Sequence, residues 1–179
     1  TKRKVTLNNE VVKSSQEVQI ANFLYLNGIE YEYEPSYPYH IFMSKKRYSP
    51  DFVIRQDGKE IYLEHFGLSE DGKNNRYTEE EIAKYKKAIN DKIQIHQKHG
   101  TKLIYTYSKY NDDKSLIDHL TELLKENGIV SNPRSSEEVL NKLKSKYGSV
   151  KLAKDIYGYN LITCKKENDE FNCYITLGG

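Results

Sequence analysis

The chain has 179 residues, enough for one ordinary domain with its own core and short for two. Its 28 Lys and Arg stand against 26 Asp and Glu, a net charge of +2, which excludes a histone-like global field and leaves any nucleic-acid contact to a local patch. No apolar run is long enough to span a membrane and no charged-then-apolar leader is present, so the chain reads as soluble and cytoplasmic, with no membrane partner. Ser14 and Glu17 have the spacing of a helix-capping box, and Ile20, Ala21, Phe23 and Leu24 follow before Gly28, which predicts a helix over about 15–27. Ile29, Tyr31 and Tyr33 alternate with Glu30, Glu32 and Glu34, the period of a strand with one wet face, over 29–37. Two apolar-rich runs, 51–56 and 59–66, flank Asp57-Gly58, a strong hairpin signal.

A polar loop over 67–78 leads to Ile82, Tyr85, Ile89, Ile93 and His96, a helical stripe over 79–99 that Gly100 ends. Lys102 to Tyr107 has the β-branched and aromatic content of a central strand, and Leu116, Ile117, Leu120, Leu123 and Leu124 mark a helix stopped by Gly128. The order α, β, β-hairpin, α, β, α predicts an α/β sandwich with a mixed sheet. Beyond Asn132-Pro133 a helix over about 136–147 and strands near 159–164 and 171–177 are expected, giving a core over about 11–128 and an appendage over 129–179 of a single domain. With Asn168-Asp169 as a final hairpin loop, Cys164 faces Cys173; two cysteines are too few for a disulfide scaffold or a four-ligand zinc site, and they are expected to be free thiols. The 16 tyrosines accompany abundant Lys, Asn and Ile and read as compositional bias.

If Asp57 and Gly58 are the two loop residues, Gln56 faces Lys59 and, counting back, Asp51 faces Glu64, with Cβ atoms about 4.5–5.5 Å apart on one face. The same register pairs Phe52 with Leu63 and Ile54 with Ile61 on the other face, so it also assembles an apolar core face. Facing carboxylates destabilise a sheet unless something compensates them. A divalent cation would, since Mg²⁺ takes one or two carboxylates plus waters and substrate phosphate. The residues alone leave a second reading open, two solvated acids beside an ordinary Arg55–Glu60 cross-strand pair.

Tyr48-Ser-Pro50-Asp51-Phe-Val-Ile followed by Ile61-Tyr-Leu-Glu64-His65-Phe66-Gly67 resembles the Pro-Asp and Glu-x-Lys core of the PD-(D/E)XK nucleases. Together with Lys13-Ser-Ser-Gln-Glu17-Val-Gln-Ile-Ala-Asn22-Phe-Leu, Gly28-Ile-Glu-Tyr-Glu-Tyr-Glu34 and Gly100-Thr-Lys-Leu-Ile-Tyr-Thr-Tyr-Ser108, it is similar to the nuclease-like domain attached to some UvrD-like superfamily 1 helicases, over about residues 11–108. The resemblance implies a restriction-endonuclease-like three-layer fold, Mg²⁺ or Mn²⁺ held by Asp51, Glu64 and the backbone carbonyl of His65, hydrolysis of DNA, and a parent helicase whose ATP-binding motor lies elsewhere.

The chain departs from that pattern where Phe66 replaces the usual lysine. The departure opens a second expectation, a nuclease-like fold that grips DNA for a helicase without cutting it. Strand parity turns His65 toward the Phe52 and Leu63 face, so its ring is expected to be packed or hydrogen-bonded. Tyr85, Ile89, Lys92 and His96 are spaced 4, 3 and 4 apart, which puts Lys92 on the inward stripe of its helix, a place where the resemblance implies a migrated catalytic lysine. Against that stands a lysine snorkelling from the stripe's edge. Glu17 has two readings, a cap partner of Ser14 and an acid bordering the metal, and His96 is a further candidate. Lys45, Lys46 and Arg47, with Lys84, Lys86 and Lys87, are candidate phosphate contacts. Gly67-Leu-Ser-Glu-Asp-Gly72-Lys73-Asn74 nearly spells a phosphate loop, but Asn74 stands where the Mg²⁺-binding Ser or Thr belongs, and no ATP site is expected.

Overall fold

The computed structural model describes residues 4–147 and two further strands, 162–167 and 170–175. In chain order the elements are β1 (Lys4–Val5), β2 (Val11–Val12), α1 (Ser15–Leu26), β3 (Glu30–Tyr33), β4 (Phe42–Met43), β5 (Lys46–Arg47), β6 (Phe52–Gln56), β7 (Lys59–Ser69), α2 (Glu79–His99), β8 (Lys102–Lys109), α3 (Leu116–Glu126), α4 (Ser136–Tyr147), β9 (Ile162–Glu167) and β10 (Glu170–Ile175). They fall into two compact units, Glu30–Val130 and Thr1–Ile29 with Ser131–Gly179. The fold is α/β, with a mixed sheet and, among the described residues, four helices. No helix among those residues is long and apolar enough to cross a membrane.

In the unit that joins the two ends of the chain, β1 and β2 pair antiparallel. The Ser14 hydroxyl accepts the Glu17 amide at 3.1 Å and caps α1, as its spacing predicts. Gly28, at φ 62°, follows α1, and a Cβ there would lie 2.1 Å from the Asn132 carbonyl oxygen, so only glycine fits. That approach is fixed by the Asn132 amide on the Asn27 carbonyl at 2.7 Å and the Arg134 amide on Leu26 at 2.9 Å. β9 and β10 pair antiparallel with Cys164 opposite Cys173, the register read from the sequence, while the state of the two thiols lies outside the described side chains.

The second unit holds the main sheet, in the order β3-β6-β7-β8. β3, β6 and β7 run antiparallel, and β8 returns parallel to β7 after the crossover helix α2, since parallel neighbours cannot be joined by a tight turn. Asp57 at φ 49° and Gly58 at φ 76° form the two-residue turn between β6 and β7, both in the left-handed region that such a hairpin demands. The register is the expected one, Phe52 on Leu63 and Ile54 on Ile61, and all four side chains are buried. On the opposite face Val53 and Tyr62 pack with Tyr37 and Tyr48, and Ile95 of α2 and Leu103 of β8 close over them. The helix and the tyrosines thus cover the face that also carries Glu64.

Three features depart from the sequence expectations. The strand predicted over 29–37 stops at Tyr33, because Glu34 turns to φ 46°, its amide bonds the Asp51 carbonyl at 2.7 Å, and Pro35 has no amide to continue a ladder. The ribbons β1–β2 and β4–β5 are unanticipated, with two residues per strand and no alternation to detect. β7 runs on to Ser69, into the predicted loop, but its pairing with β8 shifts register between Phe66 and Ser69.

Candidate functional site

The tight turn at Asp57-Gly58 brings Asp51 to the end of β6 beside the middle of β7, one residue beyond the paired ladder. There the Asp51 Oδ2 accepts the His65 amide at 2.8 Å. Glu64, 1% exposed, lies beside it on the helix-covered face. Its Oε1 accepts the Tyr48 hydroxyl at 2.9 Å, and its Oε2 accepts the Lys92 ammonium at 3.2 Å. Lys92 reaches in from the inward stripe of α2, its side chain 26% exposed, and its ammonium lies 5.8 Å from the centroid of the Phe66 ring. Phe66 is buried against Tyr105 and Tyr107. Where β7 leaves its register, the Gly67 amide donates to the Tyr85 hydroxyl at 2.6 Å, so α2 is tied to the strand about two turns before Lys92 as well.

Burial, and next the charge of Glu64, push the Asp51 carboxyl up to about 7, against the downward pull of the His65 amide and Lys92. A proton or a cation between these two acids is therefore favoured. Burial holds the His65 imidazole down at about 4, and its Nδ1 bonds the Thr106 hydroxyl at 2.8 Å. Burial, with His99 nearby, likewise holds His96 down at about 4. The Tyr48 phenol is raised above its ordinary range, first by burial and then by the charge of Glu64, so it stays a neutral donor.

Beyond Tyr48 the polar contacts continue. The Tyr48 hydroxyl meets His96 Nε2 at 2.9 Å, His96 Nδ1 meets the Thr101 hydroxyl at 2.7 Å, and that hydroxyl meets the Tyr37 hydroxyl at 2.7 Å. No buried side-chain nitrogen or oxygen among the described residues lacks a partner.

Asp51, Glu64 and Lys92 are thus brought together. His96 touches Glu64 only through Tyr48. The His65 ring bonds Thr106, on the face that strand parity gives it, and its backbone amide fixes Asp51. Glu17 belongs to the other unit, where it is buried and accepts the Ser14 hydroxyl at 3.0 Å. Tyr48, Thr101 and Tyr37 were not among the sequence candidates. Tyr48 stands three residues before Asp51 in an irregular stretch, where no period shows which way a side chain faces. Among the described residues no three His, Cys, Asp or Glu side chains converge on one point. A two-carboxylate site is nonetheless sufficient for Mg²⁺, which keeps several waters.

No family model matches the chain. An uncharacterized protein of Methanocaldococcus jannaschii, MJ1519, is 32% identical to it over 146 residues, a match that takes in 79% of this chain and 10% of the relative. The chain therefore spans about a tenth of the length of the curated relative it matches.

Proposed function

We propose that the chain is a metal-dependent deoxyribonuclease domain of the restriction-endonuclease-like, three-layer α/β class, working as part of a larger DNA helicase. The observation that carries this reading is the place of Lys92. Its ammonium bonds Glu64 and lies over Phe66, the residue that stands where the resembling family has its strand lysine, so a helix supplies the charge that the strand lacks. The length of MJ1519 relative to this chain is in keeping with a domain of a larger protein.

In this reading Asp51, Glu64 and the His65 carbonyl would hold Mg²⁺ or Mn²⁺, whose chemistry there is to polarise the phosphate and ready a water. The chain's own groups do the rest. The His65 amide fixes one oxygen of Asp51, and Lys92 offsets the charge of Glu64 in the resting site. During hydrolysis a water oxygen bonds phosphorus, one P–O ester bond breaks, and the water's proton ends on the departing oxygen or in solvent. Lys92 is placed to offset charge that grows on the phosphate. Lys45, Lys46, Lys84, Lys86 and Lys87 are exposed, and a groove of about 650 Å³ between the β4–β5 ribbon and α2 is lined by Phe42, Met43, Lys84, Lys87, Ile95 and Lys98. The lysines among these would supply phosphate contacts in the proposed complex.

Calorimetry with Mn²⁺, beside a nuclease assay on single- and double-stranded DNA, tests the reading. Wild type should bind Mn²⁺ and lose most of its affinity in Asp51→Ala and in Glu64→Ala. Equal binding in all three proteins would overturn the metal assignment. A second reading, a DNA-gripping module with no cleavage, is favoured by the burial of Phe66 at the usual lysine position. Metal binding without cleavage of any DNA form would select it.

A further inference from the structure

With His96 kept neutral by its burial, the polar chain behind Glu64 has one consistent arrangement of hydrogens. An ionised carboxylate only accepts, so the single hydrogen of the Tyr48 hydroxyl goes to Glu64 Oε1. Toward His96 the Tyr48 oxygen then accepts, which puts the imidazole hydrogen on Nε2. Nδ1 is left bare and accepts from Thr101, whose oxygen in turn accepts from Tyr37. Every bond runs the same way, from Tyr37 to Glu64.

The apolar cluster around these groups does not need them. Tyr48 packs edge-on against Tyr37, with ring centroids 5.2 Å apart, beside Val53 and Tyr62, and a phenylalanine would fill the same space without importing a buried imidazole and two hydroxyls. Buried polar chains are costly unless complete, and removing polar groups in favour of apolar isosteres is often neutral or stabilising. The chain ends on one oxygen of Glu64. Its other oxygen, Oε2, is the one that Lys92 meets.

We propose that Tyr48 is a positioning residue for Glu64, oriented by neutral His96 through Thr101 and Tyr37, and that it turns Oε1 inward and leaves Oε2 as the oxygen offered to a divalent cation. This rests on the metal reading above. Asp51 is arranged alike, with Oδ2 given to the His65 amide. Each acid therefore presents one oxygen, which suits a small octahedral cation that binds carboxylates singly and keeps its waters.

The test uses the full chain labelled with ¹⁵N-histidine, together with Mn²⁺ calorimetry on wild type, Tyr48→Phe, His96→Gln, His96→Leu and Asp51→Ala. The nitrogen spectrum of His96 at neutral pH should show a neutral ring with hydrogen on Nε2. Tyr48→Phe keeps the ring packing and should fold, yet bind Mn²⁺ about 10-fold or more weakly, the scale on which partners of metal ligands act. His96→Gln, whose side-chain amide can still donate toward Tyr48, should retain more affinity than His96→Leu at matched melting temperature. An Nδ1–H ring, or a folded Tyr48→Phe that binds as tightly as wild type while Asp51→Ala does not bind, would overturn the positioning role and leave the metal reading standing. Absence of Mn²⁺ binding in wild type would overturn both.

Discussion

The ammonium of Lys92 lies over the ring of Phe66, 5.8 Å from its centroid. In the proposed nuclease reading, this helical lysine and strand phenylalanine would together do the work of the one strand lysine of the resembling family. Phe66 serves as the floor, packed against Tyr105 and Tyr107, and Lys92 as the charge, bonded to Glu64 at 3.2 Å.

Lys92→Ala should leave folding and Mn²⁺ affinity nearly intact while lowering the rate of DNA cleavage by roughly 10²-fold, the scale for one preorganised charge stabiliser. Single-turnover cleavage at saturating metal measures it. A variant that cuts at the wild-type rate would return Lys92 to a snorkelling surface role.

Phe66→Ala should destabilise the fold by about 3–5 kcal/mol, as expected when a buried aromatic ring is truncated, and Phe66→Leu by clearly less. Urea denaturation of the two variants provides the comparison. Similar small losses in both would mean that the ring is not the packed floor described for it.

The Asp51 carboxyl, at about 7, holds its proton more tightly in the folded than in the unfolded chain. Its contribution to metal-free stability is therefore complete below about pH 4 and is lost as pH rises toward 7. His65 and His96, held down at about 4, act oppositely: their contribution is complete above about pH 6.5 and is lost as pH falls toward 4. The wild-type profile mixes the two trends, so the informative quantity is a difference. Asp51→Asn, whose amide oxygen can still accept the His65 amide, should gain stability relative to wild type between pH 4 and 8 by on the order of 2–4 kcal/mol. A difference flat with pH, from chemical denaturation in a chelating buffer, would show that Asp51 titrates normally.

Gly58→Ala should cost about 1–2 kcal/mol, wholly from the left-handed backbone, because no atom lies within 4 Å of the Cβ it would add. Mn²⁺ affinity should not change, since Phe52, Ile54, Ile61 and Leu63 hold the register independently of the turn. Loss of metal binding in a variant that stays folded would place register control in the turn alone.

What could be read from the sequence follows from where local rules govern. A two-residue turn fixes a hairpin register, so the ladder from Gln56 on Lys59 to Phe52 on Leu63 was legible from Asp57-Gly58, with Asp51 one residue beyond it, as was Cys164 opposite Cys173. Helical spacing put Lys92 on the inward stripe. Tyr48 sits in a segment without a period, Tyr37 lies beyond the point where β3 breaks off, and Thr101 is in a two-residue link between α2 and β8, so their directions are set by packing that no window of sequence contains. The early end of β3 at Glu34 likewise depends on a bond to the carbonyl of Asp51, the residue just before β6.

The tight turn between β6 and β7 also orders events in time. A β-hairpin closes in about 1–10 μs, whereas a parallel strand pair must await its crossover, and non-local pairings slow folding. Asp51 and Glu64 become neighbours within the β6–β7 hairpin, but Lys92 arrives only with α2, 28 residues beyond Glu64. The nascent hairpin thus carries two facing acids before their cation is delivered. Refolding above the range in which Asp51 ionises should be slower than at mildly acidic pH, and millimolar Mn²⁺ should narrow that gap by standing in for the absent lysine.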